Sequence, residues 1–307
     1  MIRSASLVLL AALASPAPHA PAAEAPAPAA TSAAKHLLRY KFGMGEVLRY
    51  QVHQSTHLRT SMEGATQRNA SQTDSVKVWK VTDVLPTGNL EFIHLVESVK
   101  MSNEGSSQPR REFDSAAKVP PAPGFEAAAR AVGVPLVVVQ ITPTGKVVSR
   151  EQKLPKQAAP TEDMPITLEL PEEPLAVGEK WSRSYDVAVT KPGGAAFKIR
   201  TRRVATLLGV KGNVATIAVE YQILTPVDAA VRAQIIERLT KGTVRFDIAR
   251  GRVIQQSHGV DRREVGFTPN SQASSMHFVA RTSEKLLPAA TTVASVPSAV
   301  QPASASE

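Results

Sequence analysis

The side chains that could do chemistry are scattered along this chain. Seven histidines occur in 307 residues, and the one close pair is His53 and His57. On a helix, histidines four apart share a face and can chelate a metal, as in zinc proteases. Here the preceding Leu48 to Val52 alternates apolar with polar residues, which predicts a strand. Four residues of strand put the two imidazoles roughly 13 Å apart. The intervening Gln54, Ser55 and Thr56 add no carboxylate, so no metal site is expected.

Nucleophiles and acid–base pairs are no better placed. No G-x-S-x-G occurs, and Gly105-Ser106-Ser107 lies in a polar stretch with no strand-to-helix elbow around it. Gly145-Lys146 lacks the upstream glycine and the following hydroxyl residue of a phosphate loop, and a hairpin accounts for it. The pairs Glu162-Asp163 and Glu172-Glu173 sit beside prolines, where adjacent side chains point apart on an extended chain. The expectation is a non-catalytic protein without a cofactor.

Two binding features stand out. Lys198, Arg200 and Arg202 are spaced by two, so on a strand they form a cationic ladder that, with Arg203 nearby, is suited to phosphate or carboxylate groups. The same spacing equally describes a solvated outer face. Aromatic residues make up only 5% of the chain, so the few large rings must carry much of the core. Among them Trp79, Phe92, Trp181, Tyr221 and Phe246 are candidates to line an apolar groove. Nucleic acid is not an expected partner, because exposed aromatics are not interleaved with the basic residues beyond Trp79 between Lys77 and Lys80.

The elements that would position these residues are mostly strands. Phe42-Gly43-Met44-Gly45-Glu46 and Leu175-Ala176-Val177-Gly178-Glu179 each lead into a strand carrying an aromatic residue. Gly88-Asn89 and Gly212-Asn213 are hairpin turns, and Ala215, Ile217, Val219 and Tyr221 mark one buried face. A short helix follows in each run. Asp228 is its N-cap in the second, Val231, Ile235 and Leu239 share a face, and Gly242 is read as a C-cap. The first offers Phe125, Ala129 and Val132, with Gly133 as the stop. Last hairpins turn at Gly145 and Gly251, and a further strand runs from Ser275 to Arg281.

Landmarks recurring in the same order predict an internal repeat. The expected fold is mainly antiparallel β (α+β): two homologous β-rich halves, each with one short helix, sharing one curved-sheet core. Two independent β domains joined by a linker are the alternative. The expected organisation is a signal peptide over 1–22, a disordered Ala/Pro-rich segment over 23–34, a first repeat over 35–150, a linker over 151–174, a second repeat over 175–287 and a disordered tail over 288–307. Arg3 followed by the apolar run Ala5 to Ala14 has the layout of a secretory signal, and the run is too short to span a bilayer. The mature protein is therefore expected to be exported, periplasmic or secreted, with no transmembrane segment. There is no cysteine, which excludes both disulfide staples and a lipoprotein-type anchor. The formal charge of +9, from 36 basic against 27 acidic residues, favours acidic partners of any kind.

The motifs F-G-M-G-E-V-L-R-Y and L-P-E-E-P-L-A-V-G-E-K-W, with a helix followed by V-x-V-x-I-x-x-x-G-K-V, resemble an uncharacterised family of exported planctomycete proteins. That resemblance spans about Leu38 to Val279 and implies no activity and no functional residues. A fainter likeness is to the half-barrels of periplasmic lipoprotein carriers, which implies an antiparallel sheet curled around helices. The expected function is thus an exported cell-envelope protein holding a lipid or other apolar or amphipathic ligand in a sheet–helix groove. The alternative is a structural or interaction module for acidic envelope polymers or a protein partner.

Overall fold

The computed structural model describes residues 34–117, 119–154, 168–190, 194–268, 271 and 273–289. The expected signal peptide, nearly all of the 23–34 segment, residues 155–167 of the expected linker and most of the C-terminal tail lie outside the described residues.

Long alternating runs with few breakers give long strands. The first run holds β1 (Val47–Met62), β2 (Ala65–Val84), β3 (Leu90–Gly105), β4 (Gln108–Asp114), helix α1 (Glu126–Ala131), β5 (Pro135–Ile141) and β6 (Val147–Gln152). The second holds β7 (Lys180–Thr190), β8 (Ala196–Lys211), β9 (Val214–Ile223), helix α2 (Ala229–Gln234), β10 (Lys241–Asp247), β11 (Arg252–Val265) and β12 (Ser275–Leu286). The strands all belong to one open antiparallel sheet in the order β6-β5-β3-β2-β1-β12-β11-β10-β9-β8-β7, with β4 paired to β3. The last strand thus joins the first, from Tyr50 opposite Leu286 to Ser61 opposite Ser275.

The two Gly-Glu turns are built alike. Gly45 and Gly178 both take positive φ, a conformation glycine adopts without a Cβ penalty. Gly45 N donates to Val81 O and Val81 N to Glu46 O; Gly178 N donates to Leu207 O and Leu207 N to Glu179 O. Each glutamate also folds back on the turn, Glu46 Oε2 accepting from Gly43 N and Glu179 Oε2 from Ala176 N. In each case the acid satisfies a turn amide that would otherwise face solvent.

One buried cluster draws on both ends of the sheet. Phe92, Val139 and Ile141 from β3 and β5 share it with Leu207, Ile217 and Phe246 from β8, β9 and β10. Strands that far apart in the order are separated by tens of ångströms in a flat sheet, at about 4.8 Å per step. The sheet therefore curls, and these residues line its inner face. Two extended segments fill the interior. Leu38, Tyr40 and Phe42 lie in one and Leu168 and Leu170 in the other, all buried. Tyr40 N donates to Pro143 O in the β5–β6 turn, and Lys41 N to Gly251 O in the β10–β11 turn. Leu170 N donates to Thr144 O.

The helices cover the other end of the same face. α2 and the 3-10 turn Ile236–Arg238 bury Val231, Ile235 and Leu239 against Val187, Val189, Ile199 and Val260. Asp228 caps α2, accepting from Val231 N at 2.9 Å. Phe125 at the start of α1 stacks on Phe113 at 5.9 Å and packs with Val99. Gly242 is not a C-cap but lies within β10, where a Cβ would sit 2.0 Å from the Ser257 carbonyl oxygen. The final strand runs five residues beyond the expected Arg281, because Thr282 to Lys285 find partners on both β1 and β11 and Leu286 on β1.

Candidate functional site

Alternation assigns side chains to the two faces. On β8, Phe197, Ile199, Thr201, Arg203, Ala205 and Leu207 point inward, so Lys198, Arg200 and Arg202 point outward. Arg202 donates to Gln222 at 2.8 Å on the outer face, and Asp186 lies opposite Arg200. The expected cationic ladder exists as a row on the outside of the sheet. Arg203, its sequence neighbour, is the cation that faces the interior.

The inner face carries a polar band between the filled interior and the helix-covered end. Glu284 on β12 lies opposite Gln256 on β11, and Thr282 lies opposite His258. Lys77 from β2 reaches Glu284 at 2.6 Å, and both side chains are largely buried. Gln256 donates to the other Glu284 oxygen at 2.7 Å. The Lys77 ammonium also stands 5.2 Å from the Tyr50 ring centroid and 5.3 Å from that of Trp79. Glu284 is thus fully engaged: one cation, one amide, and no spare charge.

Beside this band lies a cavity of about 300 Å³. Tyr40, Tyr50, Trp79, Leu168, Tyr221 and Val253 give it an aromatic and aliphatic wall, and Arg203, Arg238, His258 and Glu284 its polar one. The two inner tyrosines are fixed as donors, Tyr40 to Leu168 O at 2.9 Å and Tyr50 to Val253 O at 3.0 Å. Burial raises the pKa of both phenols, so they stay neutral. Burial, and then the Arg203 charge, pushes His258 down to about 4, so this ring is neutral at physiological pH. A second hollow of about 430 Å³ lies further along the same face, lined by Thr56, Leu58, Ser71, Asn103 and Phe278. Gln54 of the first and Thr56 of the second are successive inward positions on β1, about 7 Å apart.

The five aromatic candidates divide between wall and floor. Trp79 and Tyr221 line the cavity. Phe92 lies under Trp79, stacked at 4.6 Å, and Phe246 meets the Tyr40 ring edge-on at 5.5 Å. Trp181 sits against the buried cluster and donates from Nε1 to Glu169 O at 2.8 Å. Sequence reasoning has Arg203 only as a neighbour of the outer ladder, and it misses Arg238. The first was detectable as a charge on the apolar face of an alternating strand. The second follows the apolar positions Ile235 and Ile236, where a surface arginine looks the same.

His53 bonds Asp74 at 2.6 Å, and His57 projects from the same outer face two positions further on. Among the described residues no group of three or more His, Asp or Glu side chains is placed to hold a metal.

No family model matches the chain, and no curated protein does either. Two solved structures are similar in part. A structure of lipid–protein interactions in lipovitellin aligns with a TM-score of 0.43 at 12% identity, over 81% of this chain and 26% of that one. A DUF1329 family protein from Desulfovibrio piger aligns with a TM-score of 0.14 at 9% identity, over 75% of this chain and 83% of that one. This chain spans about a quarter of the length of the lipovitellin chain, and likenesses at these scores say nothing of what it binds.

Proposed function

We propose that this is an exported, non-catalytic binding protein of the cell envelope that holds an amphipathic small molecule between its curled sheet and its helices. The observation that carries this is the cavity beside Trp79 and Tyr221, which combines an aromatic wall with a few convergent polar groups. Its volume is at the lower end of ligand pockets, about 300 to 1,000 Å³, and the hollow beyond Thr56 adds room along the same face. The two runs β1–β6 and β7–β11 are read as copies of one unit, a relation that the matching Gly-Glu turns support. Export rests on the N-terminal sequence pattern, and the likeness to exported planctomycete proteins is part of the same proposal.

Native mass spectrometry of the full chain purified from a bacterial periplasm, with solvent extraction of the same sample, tests it. A co-purifying amphipathic mass that is lost in Trp79→Ala is expected. A clean apo mass, with no uptake of an added C12 amphiphile, would refute ligand binding.

One observation favours the alternative, a module binding acidic envelope polymers. On the outer face the register places Arg68, Arg59, His277 and Arg263 side by side across β2, β1, β12 and β11. Arg59 and Arg68 are like charges directly opposite each other, an arrangement that an overlying anion would relieve, while Asp261 already bonds His277 at 2.8 Å. Retention of the protein on an acidic polysaccharide at low salt, lost in Arg59→Ser with Arg263→Ser, is expected if that row is used.

A further inference from the structure

Two buried donors on side chains that line the cavity have no partner among the described residues. Trp79 is 6% exposed and its Nε1 makes no hydrogen bond among the described residues; Arg238 is 6% exposed and the same holds for its Nη1. Buried polar atoms are nearly always paired, and each exception calls for a specific explanation. A guanidinium is the most expensive group to leave so, since it cannot shed its charge. Both atoms belong to side chains that line the same cavity.

The charges around that cavity do not balance within it. Arg203 joins Arg238 in the lining, and of the two acids there Glu284 is taken up by Lys77 and Gln256. Glu237 is the other, and it is exposed. The field of Arg203 reaches several inward groups: it lowers the proton affinity of His258, Tyr40 and Tyr185 alike, against the larger upward effect of burial on the two phenols. His258 and the two tyrosine hydroxyls add no negative charge.

We propose that the cavity takes the acidic head of its ligand, a carboxylate or a phosphate, with Arg238 Nη1 and Trp79 Nε1 as donors, Arg203 as the second cation, and the ligand's chain laid along β1 past Thr56. This rests on the cavity being a ligand site. An oxyanion would supply an acceptor to these donors and offset the local cationic excess. A neutral head could accept a hydrogen bond from Arg238 but would leave its buried charge uncompensated, and a cationic head would add to the excess.

Calorimetric titration of the full chain with four C12 amphiphiles below their micelle concentrations tests it: dodecanoate, dodecyl phosphate, dodecanol and dodecyltrimethylammonium. At least one acid is expected to bind about tenfold or more tighter than dodecanol, the scale of one charge-assisted hydrogen bond. The cationic amphiphile is expected to bind weakest. Preference for dodecanoate points to a fatty-acid source, and preference for dodecyl phosphate to a phospholipid or phosphate-ester source. Arg238→Gln and, separately, Arg203→Gln are expected to reduce acid binding about tenfold while leaving dodecanol within about twofold. Dodecanol binding as tightly as both acids would overturn the acidic-head assignment and leave the ligand site standing. If none of the four binds, the ligand site itself is overturned. The ranking on the unaltered protein decides the matter even where a variant fails to fold.

Discussion

His94 and His258 stand at either side of the polar band, and each is held neutral by its surroundings. Burial first, then Lys77, brings His94 down to about 4, with Arg150 acting the same way and Glu284 opposing. His258 reaches about 4 through burial and Arg203, with Glu284 again opposing. Both histidines titrate near 6.5 in the unfolded chain, so between pH 6.5 and 4 the unfolded state binds more protons. Stability must therefore fall as pH drops through that window. From about pH 7 to about pH 5 each histidine contributes roughly 2 kcal/mol of loss. Asp74, which His53 holds low by a hydrogen bond, loses its contribution only at more acidic pH, so the upper window reports the histidines. Urea midpoints measured across it are expected to fall for the unaltered protein and to fall about half as steeply in His258→Asn. A slope that His258→Asn leaves unchanged would place the proton uptake elsewhere. Neither histidine is distinguishable in the sequence from the exposed ones. Their neutrality comes from burial and from cations brought in by β2, β6 and β8, which no local spacing reveals.

At the scale of elements the sequence is far more legible, because strand period and turn chemistry are local properties. The alternation of Ala215, Ile217, Val219 and Tyr221, the Gly-Asn turns and the Asp228 cap all lie where spacing puts them. Gly242 shows the limit of the same logic. A glycine just after a helix suggests a C-cap, yet here it is required by the approach of β11, a strand contributed from downstream. Alanine at Gly242 would press its Cβ on the Ser257 carbonyl and on the His258 backbone at 2.8 Å, neither of which can rotate away. Gly242→Ala is expected to cost about 3 kcal/mol by overpacking. Gly209 in β8 provides the contrast, since a Cβ there meets nothing within 4 Å. Gly209→Ala is expected to be neutral or to stabilise by up to about 1 kcal/mol, through loss of unfolded-state freedom. Denaturant midpoints of the two variants separate close approach from a general intolerance of side chains at glycine positions. Equal effects would refute the close-approach account.

For the molecule as a whole, the open question from sequence was whether the two runs share a core. Strand order could not be read, because a hairpin pattern constrains neighbours in the chain and leaves long-range pairing free. The inward packing of Leu38, Tyr40, Leu168 and Leu170 was equally hidden: Leu38, Tyr40 and Phe42 alternate with Arg39 and Lys41, and Leu168 and Leu170 flank Glu169, so the period marks a buried face without saying which strands it packs on. Once placed, they tie the β5–β6 turn to the β10–β11 turn, and β12 zips onto β1 along twelve paired positions. A core drawn from both runs has a mechanical consequence: neither run can unfold alone without exposing the other's buried residues. The chain has two tryptophans, Trp79 in the first run and Trp181 in the second, so each run carries its own reporter. Trp181→Phe leaves the first reporter and Trp79→Phe the second. Denaturant curves of these two variants, each corrected for its own stability, are expected to show one transition each with the same slope. Adding Phe92→Ala, a first-run change in the common cluster, is expected to lower the midpoint seen by Trp181 by the equivalent of about 3 to 4 kcal/mol. Independent domains would instead leave the Trp181 transition where it was. That outcome would mean the inner face closes separately in each run, and the cavity between Trp79 and Tyr221, whose walls come from both, could not persist when either run opens.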